Sequence, residues 1–154
     1  MDQILDSHQM QEVAPVYAGF WTRFAAVFID GIVVGIIQGI LSVFLIGSAY
    51  INSTNTEGLG SRIITLYTLI LGIQWLYFAL MESSSGQATL GKKAMGIKVT
   101  DEQGNRITFG KASARFFSKF ISSIIICIGY LMMLWSDKRQ CLHDKIAGTL
   151  VVRK

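Results

Sequence analysis

Arg23 and Asp30 sit inside a run, residues 20–48, that is otherwise almost wholly apolar. Charge is costly in hydrocarbon and is normally kept for a partner, a cavity or an ion. Seven residues separate the two, two turns of helix, so they share a face about 10 Å apart along the axis. That is too far for direct contact along a straight helix. Asp30 lies about 16 Å from a helix start near Gly19, close to the centre of a bilayer. Its neighbours one turn away, Ala26 and Val34, are inert. Its partner must come from another segment, from water or from a proton. Two chemistries fit: a proton or monovalent-cation site, and an inter-helix lock to a base from elsewhere. Gln38 and Gln74, also set in apolar runs, suit ordinary inter-helix hydrogen bonds.

Two further clusters have chemical potential. Gly86–Lys93, GQATLGKK, nearly matches a phosphate-binding loop, but Lys93 stands where the magnesium-binding hydroxyl belongs. The better reading is a glycine-rich basic turn, with Gly91, Lys92 and Lys93 at lipid headgroups. In Leu142-His143-Asp144 a histidine adjoins an acid, with Cys141 nearby. No arrangement of nucleophile, base and orienting group is identifiable, so His143 reads as a cap, a headgroup contact or a partner for a membrane acid. Cys127 and Cys141 have no CxxC spacing, and neither a structural disulfide nor a zinc site is expected. The expectation is a protein that is not an enzyme, with no catalytic residue, metal or cofactor.

The elements that must position these groups are membrane helices. The chain has 154 residues with only 16% charged, where soluble domains carry about 25%. Charge is absent from residues 31–56, 63–81 and 120–136. A helix of about 20 residues spans a bilayer; the first two runs reach that length and the third is marginal. The expected fold is an all-α integral membrane protein. It has two transmembrane helices and a third hydrophobic helical element, a re-entrant hairpin or a third span. The hydrophobic segments cover about 20–48, 62–81 and 112–136. A polar tail, 1–18, precedes a single membrane domain, 19–154. Residues 49–61 read as an external loop. Gly31, Gly35 and Gly39 recur every four residues and suit close helix packing, within the chain or in a dimer.

Seven bases lie between Lys92 and Lys119, against Asp101 and Glu102. Bases near span ends stay in the cytoplasm, which places this segment and the N-terminus inside. Ile97–Val99 and Ile107–Phe109 alternate around a turn-like stretch and predict a small cytoplasmic β-hairpin. Arg115 and Lys119 share a helix face and can reach headgroup phosphates. The C-terminal tail is basic as well, so both flanks of the third element belong inside. A re-entrant hairpin breaking near Cys127-Ile128-Gly129 resolves this. A net charge of +4 collected beside apolar segments points to anionic headgroups, not to nucleic acid.

AGFWTRFAAVFIDG (18–31), GQATLGKKAMGIKV (86–99), the basic helix start at Ala114-Arg115-Phe116 and QCLHDKIAGTLVV (140–152) together resemble the RDD family of small bacterial membrane proteins. The resemblance places the family's arginine on Arg23, its first aspartate on Asp30 and its second on Asp144, beside His143. It matches the GK motif at Gly91-Lys92. It implies a multi-pass protein of the bacterial inner membrane. Some members are associated with cation/proton antiport. Two readings follow. One is a structural, accessory or regulatory membrane protein with a homo-oligomer or another membrane protein as partner. The other is monovalent cation/proton antiport by an oligomer through Asp30.

Overall fold

A computed structural model describes residues 15–52, 59–124 and 128–154. The first helix, α1 (Phe20–Asn52), and the second, α2 (Leu59–Ser83), are the two long apolar elements. The stretches Phe20–Phe44 and Gly60–Ser83 are long and apolar enough to cross a membrane. The chain is thus a largely helical multi-pass membrane protein. At 1.5 Å per residue, α1 is about 50 Å long, well beyond a hydrocarbon layer of roughly 30 Å. The helix absorbs the start of the expected external loop 49–61, because Ala49 to Asn52 continue it without a breaker.

A short helix, α3 (Leu90–Ala94), follows α2 and leads into strand β1 (Ile97–Asp101). Helix α4 (Phe109–Ile124) comes next. Then follow α5 (Ile128–Leu131), a 3-10 turn at Met132–Leu134, α6 (Leu142–Ile146) and strand β2 (Thr149–Arg153). The segment expected at 112–136 is therefore not one long helix. Part of its expected break lies outside the described residues, as do Cys127 and the acidic tail through residue 14.

β1 pairs antiparallel with β2, with Ile97 opposite Arg153 and Asp101 opposite Thr149. This corrects the expected pairing of Ile97–Val99 with Ile107–Phe109. Ile107 is buried in the core and Phe109 opens α4. The TLVVR run of β2 (149–153) offers β-branched residues that bury on both faces. The sheet's edges are covered locally. Tyr17 bridges to Val152, and Gln87 accepts from Val99 N–H at 2.7 Å while its amide donates back to Val99 O at 3.1 Å. Gln87 adopts φ 50° to do so.

The hydrophobic core sits around this sheet, not between the spans. Ala18, Ala26, Ala79, Ile97, Val99, Ile107, Ala112 and Val151 form it, with Trp75 and Met95 against it. The alanines of α1 and α2 let the sheet and α4 approach closely. Trp75 of α2 donates its indole N–H to the Ser113 hydroxyl of α4 at 3.0 Å.

Candidate functional site

Arg23, Asp30, Asp144 and His143 all lie at the end of α1 and α2 where the sheet packs, but Arg23 and Asp30 serve different partners. Asp30 is 1% exposed. Its Oδ1 accepts from the Tyr77 hydroxyl at 2.9 Å and from Gly91 N–H at 2.8 Å. Its Oδ2 accepts from the Thr89 hydroxyl at 2.5 Å. The Tyr77 hydroxyl in turn accepts from Leu90 N–H at 3.2 Å. One carboxylate thus fastens α1 to the start of α3 and to α2. Gly91 makes the approach feasible: a Cβ there would lie 2.1 Å from Ala26 O and 2.9 Å from the Asp30 carboxyl carbon. No base pairs with Asp30 among the described residues. The expected lock to a base from elsewhere is corrected, since three neutral donors fill that place.

Arg23 reaches the C-terminal part of the chain. Its Nη1 is 2.5 Å from Asp144 Oδ2, and its Nη2 donates to Arg139 O at 2.6 Å. Arg139 holds φ 46°, a left-handed conformation that non-glycine residues rarely adopt. Asp144 also accepts from Cys141 N–H at 3.2 Å, closing a capping box on α6. Its other oxygen lies 2.8 Å from Arg115 Nη2. Arg115 Nε is 3.4 Å from Glu82 Oε2, and Glu82 Oε1 is 2.5 Å from Lys92 Nζ.

Arg23, Asp144, Arg115, Glu82 and Lys92 are therefore one continuous chain of ion pairs. It joins α1, α6, α4, α2 and α3 in turn. Arg115, Glu82 and Asp144 are almost wholly buried. Burial works against the Asp144 charge, but Arg115, with Arg23, holds its carboxyl below the usual range. Arg115 is likewise opposed by burial, yet Glu82 and then Asp144 raise it. Burial pushes Lys92 down against the pull of Glu82. The headgroup role expected for Gly91, Lys92 and Arg115 does not match this placement, because all three are buried and engaged within the chain. Lys93 is exposed, and Lys119 is half-buried with its ammonium 4.3 Å from the centroid of the Phe78 ring.

Burial also sets the state of the cluster at α6. His143 is driven down to about 3 and stays neutral, and the Cys141 thiol is pushed up to about 11. Ligand atoms of Cys141, His143 and Asp144 lie within 4.8 Å of one another. Metal ligation needs a thiolate and a free carboxylate. Here both carboxylate oxygens already lie against guanidinium groups, so Asp144 serves ion pairing in this arrangement.

A model described as the RDD family matches residues 17–148, the span that holds every residue of this network. The chain belongs to the RDD family. Among relatives of this RDD protein, YxaI of Bacillus subtilis (strain 168) is 38% identical over 148 residues, covering 89% of this chain and 97% of that protein. The membrane protein YteJ of the same organism is 33% identical over 141 residues, covering 90% and 82%. A proline-rich antigen homolog of Mycobacterium tuberculosis (strain ATCC 25618 / H37Rv) is 31% identical over 151 residues, covering 88% of this chain and 63% of that protein. No solved structure matches this RDD protein.

Sequence reasoning missed Glu82, Tyr77 and Thr89. Glu82 ends the second apolar run and looked like the first residue of a loop. Its signal was its place, an acid one turn after Phe78 at the polar end of a span. The three glycines Gly31, Gly35 and Gly39 are placed on an open face, and an added Cβ at any of them meets nothing within 4 Å. Packing inside the described chain is therefore not their use.

Proposed function

We propose that this RDD protein is a non-catalytic structural or accessory membrane protein whose motif charges lock two membrane helices to a small polar domain. One observation carries this reading: both motif acids are fully engaged inside the chain. Asp30 holds three neutral donors and Asp144 holds two guanidinium groups. Neither acid is free for a passing ion. The start of α3 meets α1 as deep as Asp30, and α1 has length to spare. Asp30 therefore belongs at the membrane edge and not at its centre.

The sheet, α3 and the C-terminus are assigned to the cytoplasm, on the basic charge of residues 92–119 and of the tail. The third element enters and leaves on that side. Supporting this, its two flanks are β1 and β2, which pair with each other. Gly129 of α5 also packs back on Ser122 of α4, where an added Cβ would lie 2.8 Å from the Ser122 Cβ. Cysteines introduced near Lys98 and after Arg153 should be labelled only from the cytoplasmic side. External labelling of the second would replace the hairpin with a third span.

A second reading, monovalent cation/proton exchange by an oligomer, is favoured by one observation. Among the described residues no base faces Asp30, and its carboxyl meets only neutral donors. Proteoliposomes under an imposed sodium, lithium, potassium or proton gradient separate the two. The structural reading expects wild-type flux no greater than that of empty vesicles, with Asp30→Asn lowering the melting temperature. Wild-type flux that disappears in a folded Asp30→Asn variant would overturn it in favour of exchange.

A further inference from the structure

Helix α4 is turned inside out relative to a helix on water. Its polar side chains Arg115, Ser118 and Ser122 point inward and are at most 5% exposed. Its outward side chains include Phe117, Phe120 and Ile121, each about half exposed. A helix facing solvent has the opposite arrangement. The returning segment continues the apolar surface with exposed Leu134 and Trp135.

The charge beneath this face does not balance. Among the described residues, Arg23, Lys92, Arg115 and Lys119 face only Glu82 and Asp144, and both carboxylates are already shared between two bases. No carboxylate lies within ion-pair distance of Lys119 among the described residues. Arg115 Nη1 is buried without an acceptor. Lys119 stands where α4 meets Phe78 of α2, at the border between the polar interior and the apolar outer face.

A surplus of positive charge at the border of an apolar face suits an anion that carries hydrocarbon. We propose that the α2/α4 edge at Lys119 binds the phosphate of an anionic phospholipid, whose chains lie along Phe117, Phe120 and Ile121. Charge complementarity supplies the headgroup preference, and the outward aromatic face supplies the chain contact. This rests on the reading of α4 as part of a cytoplasmic-leaflet hairpin, which the labelling experiment tests separately.

The test uses the full chain, stripped of lipid in detergent and followed by native mass spectrometry. It is titrated with phosphatidylglycerol, with phosphatidylcholine of the same chains, and with inorganic phosphate. The first phosphatidylglycerol should bind about tenfold more tightly than phosphatidylcholine, a preference in the range that a desolvated charge pair supplies. Lys119→Gln should abolish the preference and Lys119→Arg should keep it. Lys111→Gln, on an exposed part of the same helix, should leave it unchanged. Equal binding of the two lipids by the wild type, which needs no variant to fold, would overturn the proposal. So would a preference that survives Lys119→Gln, or inorganic phosphate binding as tightly as phosphatidylglycerol.

Discussion

The two halves of α1 differ in charge and in what holds them: Arg23 and Asp30 lie in the first, and residues 31–44 carry no charge. From Phe20 to Asp30 one face of the helix is tied to α6 through Arg23 and to α2 and α3 through Asp30, while Trp21, Phe24, Val27 and Phe28 on the other face are exposed. From Gly31 to Phe44 its glycines meet open space, and Ile36, Ile40, Val43 and Phe44 are well exposed. The contrast shows what each half relies on. The first half is held by directed polar contacts within the chain, which specify one arrangement. The second half is left to lipid or to another helix. A transmembrane helix therefore need not find its structural partner along its most apolar part.

The largest effect expected from this contrast is at Asp144. Asp144→Ala leaves Arg23 without a carboxylate and Arg115 with Glu82 alone and should cost about 3–5 kcal/mol, read as a lower melting temperature in detergent. Gly91→Ala comes next. Its Cβ would collide with Ala26 O, and moving α3 away should cost about 1–3 kcal/mol and loosen the Asp30 clasp. A drop in melting temperature with protease cleavage appearing between Ser84 and Lys93 would record it.

The polar half should also respond to acid. His143 is neutral when folded, driven down to about 3 from an ordinary 6.5. Between those values the unfolded chain binds a proton that the folded chain does not. Stability should therefore fall as pH drops from 6.5 towards 4. His143→Asn should flatten that slope; an equal slope in the variant would assign the loss to another group. Asp144 adds its own loss only below the ordinary carboxylate range. The smallest effect is expected in the open half. Gly35→Leu should change monomer stability by no more than about 0.5 kcal/mol, the usual limit for a surface position. A larger loss, or a change of oligomer size in size-exclusion chromatography, would show that this face is an interface.

The two apolar helices and the basic flanks of the third element were legible because both are local properties of composition. Arg23 and Asp30 were legible as residues that need partners, and Asp144 through the family resemblance. Their pairing was not, because it depends on which strand follows which turn. Ile97–Val99 was readable as a strand, but its partner is Thr149–Arg153, beyond α4, α5 and α6. Placing β2 there draws α6 beside α1 and gives Asp144 to Arg23. It leaves Asp30 to Thr89 and Gly91, whose hydroxyl and N–H carry no charge to attract notice in a sequence. Glu82 stayed hidden because its two bases, Lys92 and Arg115, come from different elements.

The central claim is that α1 is fastened to the C-terminal part of the chain through Arg23 and Asp144. A double-mutant cycle with Arg23→Met and Asp144→Asn, followed by unfolding in detergent, tests it most directly. Residues in direct contact within one ion-pair chain should show a coupling of about 0.5–3 kcal/mol, with the double variant less damaged than the sum of the singles. Additivity within about 0.3 kcal/mol would contradict the lock.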